Sequence, residues 1–423
     1  MGEIFSMVNL GSFSVNLVSF LIIIGVIIFI HELGHYLTAR VLGVQVHEFA
    51  IGMGPVIKQI ERVTKVGKDS YRTLWSLRLI PFGGFCRMAG MGAHDEGEIK
   101  TESAGMGEEY DDQPVIPGMG FNEQPAWKRF FILLNGSAFN ILLAWILVAA
   151  LLGGRGVQDM NDTRIGTLLE GFPAQYAGFQ PNDRITEVNG VRVTEWREMS
   201  AKLREAANYG EVTFTVERGA QILTIATLLP FSEEHGNPML GITPGLVRVP
   251  VTQSLNASVW FLRDLTMLKL RGIRDMVVGR EEPDVLGPLG IASMSGQAMR
   301  DGLESFISLL ALINLSLGLL NLFPIPALDG GRIIFVFLEV IFRILEAVFW
   351  LFGATFRFLG ATFKFLGAPL RLLEKISQFF EATFRRGIPE KVENWINMVG
   401  FVLLMSLMVF ATWRDISNLF FAG

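Results

Sequence analysis

Long apolar runs almost free of charge occur four times along the chain, and polar or amphipathic stretches fill the intervals. The first run lies within residues 13–43, where Val15 to Ile30 includes only Asn16 and Ser19 as polar side chains. The others lie within 127–153, 305–331 and 396–414. About 20 residues rising 1.5 Å each cross a hydrocarbon core of about 30 Å, so each run predicts a transmembrane helix. No cleavable leader is expected, because Lys and Arg are missing before the first run and no small-residue cleavage site follows it.

The intervals differ in kind. Residues 44–90 contain strand-like pieces, Val44–Ile51 and Leu74–Leu79, each followed by a Gly/Pro cluster at Gly52-Met53-Gly54-Pro55 or Pro81-Phe82-Gly83-Gly84. A sheet edge there would offer backbone groups to an extended peptide, and a plain hairpin beside the helices fits the pattern equally well. Residues 91–126 are rich in Gly and acid and predict a solvated linker, in which His94 reads as an exposed side chain. Residues 155–245 look water-soluble. The interval 246–304 mixes amphipathic helix, as at Trp260 to Arg274, with turns. Within 332–395 a seven-residue unit repeats, placing Phe352, Phe356, Phe358, Phe363 and Phe365 among Arg357, Lys364 and Arg371. One cation per unit argues against a membrane span and for an amphipathic helix at the lipid surface.

Composition agrees with several spans plus a soluble domain: 423 residues, 50% hydrophobic, 18% charged, mean hydropathy +0.41. A net charge of −5 gives no reason to expect a nucleic-acid partner. Cys86 is the single cysteine, which rules out an internal disulfide framework. Cations gather at Arg40, Lys58, Arg62, Lys65, Lys68, Arg72, Arg78 and Arg87, and again from Arg332 to Arg386. The positive-inside rule puts both intervals in the cytoplasm and residues 155–304 outside.

The first span ends in His31-Glu32-Leu33-Gly34-His35. Histidines four apart on a helix share a face and can ligate one metal ion, while Glu32 stands beside them as a general base. Ionisable groups are costly at membrane depth, so three in five positions mark a functional site rather than a chance motif. A third ligand is needed. Asp329 follows the third apolar run, in Asn321-Leu322-Phe323-Pro324-Ile325-Pro326-Ala327-Leu328-Asp329-Gly330-Gly331, where a lone carboxylate needs a cation or metal. As an alternative it caps the next helix; the incomplete His pair favours the ligand reading. Asn140, inside the second span, either bonds a neighbouring helix or holds substrate backbone. Asn321, Pro324 and Pro326 join it as candidate substrate-binding positions.

Residues 172–190, with 212–219 as the later strand and turn, resemble the core signature of bacterial PDZ domains. With His31–His35, Glu48–Pro55, Pro81–Phe85 and Asn321–Gly331 in the same order, nearly the whole chain resembles the site-2 protease family of intramembrane zinc metalloproteases, in its PDZ-containing branch of regulator of sigma-E protease type. Before Asn140 the chain departs from the family's Ala-Gly-Pro turn with Asn135-Gly136-Ser137, and the aromatic heptads have no counterpart. The resemblance implies an α-helical polytopic membrane protein with a membrane-associated β segment and an inserted extracytoplasmic PDZ domain. It implies Zn²⁺ on His31, His35 and Asp329, with Glu32 activating water, in a metalloendopeptidase of the bacterial cytoplasmic membrane. Single-span membrane proteins, such as clipped anti-sigma factors or signal-peptide remnants, are the implied substrates, with the lipid bilayer and a PDZ-bound peptide as further partners. A catalytically inactive PDZ scaffold and a metal transporter are the alternatives; the intact ligand set opposes the first, and clustering of the ligands at one depth opposes the second.

Overall fold

The computed structural model describes residues 10–91, 114–206, 210–232, 237–280, 287–362, 367–385 and 389–421. Most of the acidic linker, with His94, lies outside the described residues, as do Phe363, Lys364 and Phe365 of the heptads. The chain divides into two compact units, Met1–Trp145 with Thr266–Gly423, and Ile146–Leu265.

In the first unit, helix α1 (Leu10–Val41) carries the His-Glu-His motif, and α2 (Ala126–Arg155) begins in this unit. Between them the strand-like pieces are parts of one long antiparallel pair, β1 (Val46–Val66) and β2 (Asp69–Met88). The Gly/Pro clusters were expected to end strands and instead bend them. Gly52, Gly54 and Gly83 adopt positive φ, and the pairing register shifts between Ile51 and Lys58. The bend folds the pair on itself, so that Phe49 pairs with both Cys86 and Trp75, and Ala50 with both Phe85 and Ser76. That explains why Val46 to Ala50 are all buried although the strand is exposed further out. Phe49, Trp75 and Tyr36 of α1 pack in tilted and edge-to-face contacts with centroids 4.7–5.3 Å apart. Ile132, Leu133, Ile333 and Val336 complete this core and seat the sheet beside the end of α1.

Helix α7 is reached after α3 (Pro173–Ala177), α4 (Trp196–Ala206), α5 (Val251–Val277) and α6 (Pro288–Asp301); it spans Leu303–Leu322 and stops before Pro324. Asp329 opens α8 (Asp329–Thr362), which pairs with α9 (Gly367–Arg385). The heptad segment therefore begins a helical hairpin. Phe349 stacks on Phe380 and Phe384, Gly353 faces Ser377, and Arg357 pairs with Glu374. Trp350, Phe352 and Phe358 remain exposed. The chain then enters α10 (Glu390–Phe421). Among the described residues, four helices are long and apolar enough to cross a membrane: Phe13–Val41, Ala126–Arg155, Leu303–Leu322 and Val392–Ser417.

After the short strands β3 (Val157–Gln158) and β4 (Ile165–Leu168), the second unit has β5 (Arg184–Val188), β6 (Val191–Arg192), β7 (Glu211–Arg218) and β8 (Gln221–Leu228), which form a four-stranded sheet of order β6-β5-β7-β8. Alternation along β7 buries Val212, Phe214 and Val216 against Ile185, Phe179, Trp196 and Met199. The buried Asp183 accepts from the Gln180 N–H and, at two atoms, from the Arg218 guanidinium, each at 2.8 Å. Phe214→Ala removes the fully buried ring at the centre of this core and is expected to cost about 3–5 kcal/mol. Pulse proteolysis in urea would read this as earlier cleavage within 157–247; an unchanged midpoint would contradict the packing.

Candidate metal centre

Two close helix approaches shape the end of α1. The Gly34 backbone lies against the carbonyl of Asn135, where any Cβ would overlap it. At the next position along α1, the imidazole of His35 lies on Gly136, and a Cβ there would also come within 2.9 Å of His31 Cε1. The Asn135-Gly136-Ser137 departure is thus the floor under both rings. His35 Nδ1–H donates to the Ile132 carbonyl at 2.8 Å, which fixes the tautomer and leaves the Nε2 lone pair facing inward.

Helix α8 supplies the third group. Gly330 and Gly331 pack tightly on Leu322, Phe323, Ile325 and Pro326, drawing the first turn of α8 under the end of α7. Asp329 Oδ2 then lies 3.1 Å from His31 Nε2 and 3.2 Å from His35 Nε2, and the two nitrogens are 3.2 Å apart. The oxygen makes these approaches without a true hydrogen bond, so three electron-pair donors converge on one point. Tetrahedral zinc with bonds of about 2.0–2.1 Å separates neighbouring ligand atoms by about 3.3 Å, and the triangle fits one face of such a site. Among the described residues, His31, His35 and Asp329 form the group able to hold a metal ion in this way.

Glu32 is half-buried on the side toward the sheet, where Gly84 lets β2 pass: a Cβ there would be 3.3 Å from Glu32 Cγ. Burial, with the Glu32 charge adding to it, pushes the Cys86 thiol well above its ordinary value. Cys86 is not part of the group whose donor atoms converge.

The other candidates separate. Asn321 Nδ2 is 3.5 Å from His31 Nε2, at the rim of the centre. Asn140 lies one turn beyond Gly136 and faces Gly318 of α7; it is fully buried, with both amide atoms unpaired among the described residues. Pro324 is exposed, and Pro326 packs on Gly400 of α10. Gly34, Gly84, Gly136 and Asn397, which accepts from the Ala327 N–H at 3.2 Å, are site-shaping residues that the sequence reading passed over. Small residues inside an apolar helix at 135–137 were the one available signal.

A family model described as Peptidase family M50 matches residues 19–358. A protein of Fusobacterium nucleatum, named as a candidate zinc metalloprotease, is 33% identical over 324 residues, covering 75% of this chain and 87% of its own. One of the same description from Brucella suis is 30% identical, covering 77% and 86%. Another from Clostridium perfringens is 29% identical, covering 92% and 95%. A solved PDZ domain of an SdrC-like protein from Listeria monocytogenes aligns with 20% of this chain and 87% of that one, at 19% identity and a TM-score of 0.18.

Gly136→Ala favours the helix yet sets a methyl group against both rings. Metal analysis of the purified variant is expected to show far less than one bound ion per chain. Full occupancy would mean that the floor is not needed.

Proposed function

The chain belongs to peptidase family M50, the site-2 protease family, and from that premise we propose that it is an intramembrane zinc endopeptidase. The observation that carries the proposal is the triangle of His31, His35 and Asp329 with Glu32 beside it, at the end of a candidate span. Zinc held there would supply Lewis acidity to a water molecule and to the scissile carbonyl. Glu32 accepts the water's proton and passes it to the departing amine nitrogen. His35 is held in its ligand tautomer by the Ile132 carbonyl.

Substrates on this reading are transmembrane segments of single-span membrane proteins. A helix keeps its carbonyls in internal hydrogen bonds, so the scissile stretch must unwind before attack. Asn140 has an unpaired amide available to such a backbone. Asn321 stands at the rim of the centre, and Pro324 and Pro326 keep the adjoining loop non-helical. The basic intervals support a site near the cytoplasmic face of a bacterial inner membrane, with the PDZ-like unit outside. There it would bind peptide or obstruct substrates whose ectodomains are intact. The exposed aromatics of the α8–α9 hairpin suit contact with the inner leaflet.

Purified full-length protein should carry about one zinc and cut a transmembrane peptide. Glu32→Gln is expected to keep the zinc and lose about 10²–10⁴-fold in turnover. Asp329→Ala should lose both zinc and turnover, and His47→Ala neither, because His47 is buried at the start of β1 and is not in the converging group. Near-normal cleavage by Glu32→Gln, or zinc stripped by His47→Ala but kept by Asp329→Ala, would sink the mechanism.

Deletion of 160–245 tests the filter. The shortened enzyme should cut substrates with ectodomains attached as readily as clipped ones. Discrimination equal to that of the full chain would assign selection to the helices instead.

A further inference from the structure

The loop from Phe323 to Leu328 must hand Asp329 to two histidines on another helix, and its backbone is not relaxed. Ala327 has φ +72°, in the left-handed region. The other described non-glycine residues with positive φ are Asn182 and Asn189, a residue type whose short amide tolerates that region. An alanine has no such means and must be held from outside. The N–H of Ala327 donates to Asn397 Oδ1 of α10 at 3.2 Å. Gly400, on the same face of α10, receives Pro326 so closely that a Cβ would lie 2.5–2.7 Å from its Cβ, carbonyl carbon and oxygen. Asn397 is also a polar side chain inside a candidate span, Val392–Ser417, where a polar group is costly unless a partner needs it.

We propose that Asn397 is a positioning residue for the metal centre: by holding Ala327 in its left-handed conformation, it directs Asp329 toward His31 and His35. The inference rests on the zinc endopeptidase reading for its consequence, though the brace itself is a property of the chain. The α8–α9 hairpin starts at Asp329 and returns the chain to α10, so the helix after the insert supports the residue before it. Displacement of α10 would loosen the Asp329 ligand without touching either histidine.

The test uses full-length protein and a rescue. In metal-stripped protein, Asn397→Ala should speed hydrogen exchange across 323–331 relative to wild type. In zinc-loaded protein the same variant should give up its metal to a chelator about tenfold more readily, the effect of losing one buried hydrogen bond. Ala327→Gly should restore both in the Asn397→Ala background, because glycine adopts positive φ unaided. A general weakening of helix packing would not be repaired by that second change. Exchange and zinc retention unchanged in Asn397→Ala would overturn the proposal, and so would a loss that Ala327→Gly leaves in place. A wild type that holds no zinc strikes the endopeptidase reading alone, since the exchange arm still decides whether Asn397 braces the loop.

Discussion

Lone pairs from two imidazoles and a carboxylate repel one another when they meet at about 3 Å, and an apolar bundle offers no water to separate them. Their convergence at 3.1–3.2 Å calls for a positive charge among them, as a metal ion or a shared proton supplies. The rest of the first unit can be understood from that requirement. Each of the three side chains is held by its own surroundings: His35 by the Ile132 carbonyl, both rings by the Gly136 floor, Asp329 by the glycines that open α8. The geometry is prepared in advance, which keeps reorganisation small when an ion binds.

Glycine is the means by which the helices come close enough. At Gly34, Gly84, Gly136 and Gly318 a Cβ would meet backbone or a site residue at less than van der Waals distance. In a membrane the hydrophobic effect gives helices little reason to associate, and close backbone packing takes its place. The sheet follows the same logic. Its folded inner end is buried by Phe49, Trp75 and Tyr36, while Gly84 brings β2 up to Glu32. The Glu32 carboxylate thus lies between a candidate membrane span and a strand.

Much of this was legible from residue order. His31, Glu32 and His35 share a helix, so spacing alone put them together; Asp329 was found because a carboxylate beside an apolar run needs a partner. The stretch 212–219, read as a later strand and turn of a PDZ-like signature, does form a strand, Glu211–Arg218. Contacts between elements distant in sequence were not legible. Glycines at 52–55 and 81–84 read as strand ends because local turn chemistry cannot reveal that the two bends face each other in a folded pair. The heptads read as one surface helix, and their pairing with α9 depends on Phe380 and Phe384, which lie beyond the repeat. Asn397 stands out locally only as a polar side chain in an apolar run, and residue order does not reveal its partner, the left-handed Ala327.

The central claim is the identity of the three ligands around zinc. X-ray absorption at the zinc edge of the purified full-length protein addresses it most directly. The account predicts four-coordinate zinc with two imidazole nitrogens at about 2.0–2.1 Å and the remaining ligands oxygen at about 2.0–2.2 Å. A sulfur ligand near 2.3 Å, or a first shell without imidazole scattering, would contradict it.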